Sequence, residues 1–145
     1  MKRLAVLFVL LFALLGCLKP LAGPQYYEIV FDKADCNPYC STEFIVLSNG
    51  LVFKKESYSR SVINNQIEIV KVSEDNALQA IKSAQESVGE QKTERCENCN
   101  SYVLFLEKKG RHFMFSAQEK DAPESVKKVF DDSTKLFLEG NKTEQ

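Results

Sequence analysis

The hydrophobic pattern of the chain changes period several times, and each change marks an element. Leu4 to Leu15 is an unbroken apolar run. From Gln25 to Asp32 the period is two: Tyr27, Ile29 and Phe31 alternate with Tyr26, Glu28 and Val30, which predicts a half-buried strand. Ser41 to Ser48 and Leu51 to Phe53 are β-rich runs on either side of Asn49-Gly50. Asn-Gly accepts the positive φ angles of a type I′ turn, so these runs predict a hairpin. Ser57 to Asn65 is polar and reads as a loop. Gln66 to Val72 reads as a further strand, with Ile67 and Ile69 on one face.

The period then lengthens. Between Glu74 and Val88, the residues Ala77, Ile81, Ala84 and Val88 form one stripe with Leu78 beside it, which predicts an amphipathic helix. Ser73 is its expected N-cap, Glu74 and Asp75 suit the positive end of the helix dipole, and Gly89 is the expected C′ residue. Asn100 to Glu107 and Arg111 to Phe115 flank Lys108-Lys109-Gly110 and predict a second hairpin. Asp121-Ala122-Pro123-Glu124 supplies a cap, an early proline and an acid at capping-box spacing, so a last helix starts near Asp121. Val126, Val129, Phe130 and Phe137 are expected to face the sheet, with Gly140 ending the helix. The sum is α+β: an antiparallel sheet of about five to six strands built from hairpins, with two helices packed on one face.

The 145 residues fit one domain of ordinary size. The expected organisation is a signal peptide over 1–16, a tether over 17–24, a single domain over 25–140 and a polar tail over 141–145. Ten Phe and five Tyr with no Trp fit an aromatic β interior. Removing Lys2 and Arg3 with a leader leaves 17 basic against 20 acidic residues, a net charge near −3. That balance argues against nucleic acid as a partner.

Met1-Lys2-Arg3 is a short positive segment, and the twelve apolar residues after it are too few for a comfortable membrane span. They suit the apolar region of a signal peptide. Leu14-Leu15-Gly16-Cys17 resembles the lipobox of prokaryotic lipoproteins. By that resemblance Cys17 becomes a lipid-bearing N-terminal residue and membrane lipid its partner. The domain is then expected outside the cytoplasm, on the outer face of the cell membrane or in the periplasm. Pro20, Gly23 and Pro24 make Cys17 to Pro24 a tether.

The other four cysteines form two pairs, Cys36-Asn37-Pro38-Tyr39-Cys40 and Cys96-Glu97-Asn98-Cys99, each just ahead of a hairpin. An exported chain meets oxidising conditions, so two disulfides are the first reading. Four cysteines allow three pairings. Local pairs close short loops worth about 2 kcal/mol each, against roughly 4 kcal/mol for a long-range link such as Cys36–Cys99. The second reading is a tetrathiolate zinc site built from Cys36, Cys40, Cys96 and Cys99. The third is thiol–disulfide exchange at Cys96 and Cys99. Glu94 and Glu97 beside those thiols raise their pKa, the wrong direction for a reactive thiolate.

The Cys-x3-Cys loop opening an Asn-Gly hairpin, followed by a helix, a second hairpin and a Pro-led final helix, resembles a family of small secreted bacterial and archaeal domains. The resemblance spans Tyr27 to Leu138. Ser41 stands where that family usually has Pro, and Asn49 where it usually has Asp. No activity is assigned to that family, so the resemblance implies a fold and a local Cys36–Cys40 pair and nothing catalytic.

No catalytic constellation stands out. His112 is the only histidine and lies on a strand face opposite Phe113 and Phe115, so a serine-type triad has one candidate base and no nucleophile elbow beside it. All six glycines have structural places, leaving none for a phosphate loop. Lys127-Lys128 and Asp131-Asp132 read as a solvated helix face. Tyr26, Tyr39, Tyr58 and Tyr102 read as rim residues of the sheet, with a recognition surface as the alternative. The expected function is therefore non-enzymatic binding or an envelope-associated role without a cofactor. An unidentified protein is the expected partner.

Overall fold

A computed structural model describes residues 25–34, 40–58, 64–89, 99–108 and 110–143. In chain order the elements are β1 (Tyr26–Lys33), β2 (Cys40–Leu47), β3 (Leu51–Tyr58), β4 (Asn64–Lys71), α1 (Glu74–Ser87), β5 (Ser101–Lys108), β6 (Arg111–Gln118) and α2 (Glu124–Thr143). The six strands form one antiparallel sheet in the order β4-β3-β2-β1-β5-β6. β1, the earliest of these strands, is therefore interior. It pairs with β2 on one side (Ile29 opposite Phe44) and with β5 on the other (Ile29 opposite Leu104).

One face of the sheet is the core. Tyr27 and Ile29, Phe44 and Val46, Val52, Val70, Leu104 and Leu106, Phe115 and Ala117 are buried. Their strand registers place them on a single side. Both helices cover that side. α1 presents Ala77, Ile81 and Ala84, while Leu78 stays exposed. α2 presents Val126, Val129, Leu136 and Phe137. Phe130 of α2 is the hub of an aromatic cluster, with its ring centroid 5.4 Å from Phe44, 5.7 Å from Phe31 and 5.9 Å from Tyr102. Beneath it runs a buried polar relay. The Tyr27 hydroxyl lies 2.8 Å from Ser133 Oγ, which donates to the Val129 carbonyl at 2.7 Å. Ser133 has spent its proton on Val129, so Tyr27 is the donor to Ser133.

Several boundaries depart from the sequence reading. Ser57 and Tyr58 finish β3, and Asn64 and Asn65 begin β4. The loop expected over Ser57 to Asn65 is shorter, and 59–63 lie outside the described residues. The Asn49-Gly50 hairpin is not a two-residue I′ turn. Its loop is Ser48-Asn49-Gly50, closed by Gly50 N–H donating to the Leu47 carbonyl at 2.9 Å. Gly50 alone supplies the left-handed step, at φ +84°, the usual solution for a three-residue loop. Asn49 instead uses its side chain, accepting from Leu51 N–H at 3.1 Å.

The helix ends also differ. Ser73 caps α1 as expected, its Oγ accepting from Asn76 N–H at 3.2 Å. However, α1 ends on extended Val88, and Gly89 does not adopt positive φ. At the start of α2, the Pro123 carbonyl accepts from Val126 N–H and Lys127 N–H, at 2.9 and 3.2 Å. Pro123 therefore holds the cap position, and Asp121 lies outside the helix. Gly140 does not end α2, which continues to Thr143 and takes up most of the expected tail. A Cβ on Gly140 would lie 2.6 Å from Val70 Cγ2 and 2.8 Å from Val70 Cβ. Gly140 is there because the helix backbone rests directly on β4.

Candidate functional site: the helix-free sheet face

The opposite side of the sheet carries no helix among the described residues. A half-solvated antiparallel sheet is normally polar outside. Here one cross-sheet row reads Ile69, Phe53, Ile45, Glu28, Phe105, Met114 from β4 to β6. Five of its six positions are apolar. The next row holds Ile67, Lys55, Glu43, Val30, Val103 and Ser116. Ile67 is 60 %, Ile69 52 % and Met114 38 % exposed. Ile67 and Ile69 mark one edge of this face and Met114 the other, and the apolar positions between them, Phe53, Ile45 and Phe105, are half-buried.

The centre of the face is acidic. Glu28 lies on interior strand β1, directly between Ile45 and Phe105. Burial raises its carboxyl above the ordinary carboxylate range; nearby Glu43 adds to this and Lys55 opposes it. Asp32, on the same face of β1, is raised by burial and by Glu43. Lys55 Nζ is paired with Glu43 at 3.1 Å. The centre thus holds three carboxylates and one ammonium, and that ammonium is already engaged. Alternation along β1 shows this face once register is known. The signal for it was the near-continuous apolar run Phe44-Ile45-Val46-Leu47, which leaves no polar side to the strand.

The residues singled out by sequence divide as follows. Cys17, Cys36 and Cys96 lie outside the described residues. Cys40 opens β2 opposite Lys33, and Cys99 sits two residues before Ser101, which is opposite Asp32. The two cysteines therefore flank the same end of β1, about two strand spacings or 10 Å apart. A disulfide needs Cα atoms within about 7 Å, and Cys40 and Cys99 are not joined to each other. Neither is a free thiol. A zinc site is not formed by the described residues alone, none of which cluster as three or more ligands.

His112 is exposed on edge strand β6, opposite Glu107 and one row from Met114. Tyr26 is half-buried on the helix-free face. Tyr102 is not a rim residue: it is buried on the core side, its ring 4.6 Å from Phe31. Tyr39 lies outside the described residues, and Tyr58 is the last residue of β3. On α2, Lys127 pairs with Glu124 at 2.9 Å, Lys128 pairs with Asp132, and Lys135 reaches Asp132 at 3.8 Å. Among the described residues no helix is long and apolar enough to cross a membrane. No protein-family model matches the chain, and no curated protein matches it.

Proposed function

We propose that the protein is an exported, lipid-anchored binding domain that works without catalysis and meets its partner with the helix-free sheet face. The observation that carries this reading is the apolar row Ile69, Phe53, Ile45, Phe105 and Met114, left uncovered by both helices. The leader pattern ending at Cys17 supports the anchor. The tether would then join the domain at the Tyr26 end of β1, with Cys40 and Cys99 at the far end. Two disulfides among Cys36, Cys40, Cys96 and Cys99 would brace the exported domain. The engaged sulfurs of Cys40 and Cys99 support them. Of the three possible pairings, the local one, Cys36–Cys40 with Cys96–Cys99, is the one we propose.

The test is membrane fractionation of cells expressing the protein and its Cys17→Ala variant. The wild type is expected in the membrane fraction and the variant in the soluble exported fraction. Identical partition of both into the soluble fraction refutes the anchor. Intact mass after alkylation separates this reading from a zinc or redox protein. Four alkylatable thiols, or a native mass heavier by one metal ion, would make the cysteine end the functional site.

A further inference from the structure

Resting on the reading of the helix-free face as a docking surface, we infer that its occupant is a partner protein segment presenting a Lys or Arg side chain between apolar side chains. The face sets two conditions on anything that covers it. The first is apolar: rows of Ile, Phe, Val and Met on both sides of β1 favour apolar contact. The second is a cation. Among the described residues neither Glu28 nor Asp32 forms an ion pair or side-chain hydrogen bond, and Lys55 acts on Glu28 only across space. Covering a lone carboxylate removes its remaining water and leaves it uncompensated, a cost of several kcal/mol. A cation from the occupant removes that cost. Lys55 offsets it only in part, because its ammonium is paired with Glu43 and the Glu28 carboxyl stays raised overall.

The same charges disfavour the other occupants. A second copy laid face to face about a two-fold axis near β1 brings a second Glu28, Asp32 and Glu43 against the first set. An anionic lipid headgroup adds negative charge to the acidic centre. A wholly apolar segment buries Glu28 with no counter-charge.

The probes are three nine-residue peptides, capped at both ends, that alternate Ile and Thr and differ only at the central position: Lys, Glu or norleucine. Each is titrated into the full-length protein in phosphatidylcholine nanodiscs. Affinity is read by anisotropy of a labelled peptide, and the contact is mapped on isoleucine methyl resonances. Ile45, Ile67 and Ile69 report the face, and Ile29 and Ile81 report the core. The expected result is at least tenfold tighter binding of the Lys peptide, with shifts at Ile45, Ile67 and Ile69. The Glu28→Gln variant abolishes the preference, and Glu86→Gln on α1, with the same change in net charge, keeps it. Equal affinities with shifts on the face would overturn the cationic partner and leave the docking face standing. Binding by none of the three would overturn both. Concentration-dependent shifts of the same methyls without peptide would identify a second copy as the occupant and overturn the cationic one.

Discussion

Gly140 separates two explanations of a helical glycine. If it were a left-handed C′ residue, Gly140→Asn would be better tolerated than Gly140→Ala, because Asn enters that region readily. The structure places it inside α2, three residues before the helix ends. There alanine gains about 0.8–1 kcal/mol of helix propensity over glycine. Against that gain stands the contact with β4. The added Cβ meets Val70 Cγ2 at 2.6 Å, Val70 Cβ at 2.8 Å and Val72 Cγ1 at 3.2 Å. Ordinary carbon contacts lie near 3.5–4.0 Å, so helix and strand must part by most of an ångström. Forced overpacking of this kind costs about 1–3 kcal/mol. Gly140→Ala is therefore expected to be destabilising by up to about 2 kcal/mol net. Gly140→Asn, which adds three more heavy atoms to the same gap and loses helix propensity, is expected to cost clearly more. The assay is equilibrium urea unfolding followed by circular dichroism, with the m-value checked for constancy. An Asn variant as stable as the Ala variant, or more stable, would refute the close-approach account.

Other expectations follow from the buried relay and the acidic face. Ser133→Ala strands the Tyr27 hydroxyl in the core and is expected to cost about 1–3 kcal/mol, whereas Tyr27→Phe leaves Ser133 bonded to Val129 and costs about 0.5–1.5 kcal/mol. Urea unfolding of the two variants gives the order, and a larger loss in Tyr27→Phe would contradict the assigned donor direction. The Tyr27 hydroxyl is pushed up to about 12, chiefly by burial, with the Ser133 hydrogen bond opposing and Asp132 adding. Below pH 10 it is neutral in both states and its share of stability is intact. Between pH 10 and 12 the unfolded chain ionises first, so stability falls as pH rises, by roughly 3 kcal/mol over the window. Urea midpoints measured across that window should show a fall that is absent in Tyr27→Phe. Glu28→Gln removes a carboxyl whose folded-state pKa is raised. It is therefore expected to stabilise the free protein at neutral pH, and the gain should fade on acidification as Glu28 itself becomes protonated. A thermal midpoint lowered by Glu28→Gln at pH 7 would contradict this.

The elements with strong local chemistry were legible in the sequence. The stripe of Ala77, Ile81 and Ala84, the Ser73 cap and the α2 residues Val126, Val129 and Phe137 take their expected places, while Val88 is buried but extended beyond the helix end. What failed was decided by tertiary contact. Gly140 sits where a helix-stop glycine is plausible, and only the approach of Val70 shows its other purpose. Tyr102 reads as a rim residue in the sequence because its strand face depends on register with β1, which no local signal sets. Ile67 and Ile69 were correctly placed on one face. Which layer covered that face was not legible. The acidic centre was hidden for the same reason: Glu28, Asp32 and Glu43 are separated in sequence and meet only through the β1–β2 register.

The position of β1 also fixes an order of events. Glu28 pairs with Ile45 as soon as the first hairpin is made, but its other neighbour, Phe105, arrives more than seventy residues later. Until then β1 is a raw sheet edge, with Tyr27 and Ile29 awaiting the helices. Closure of such long-range pairs is slow, and unpaired edges invite association with other chains. A chain delivered N-terminus first therefore cannot cover the free edge of β1 until β5 has emerged, and the interval before that is its window of greatest exposure to misassembly.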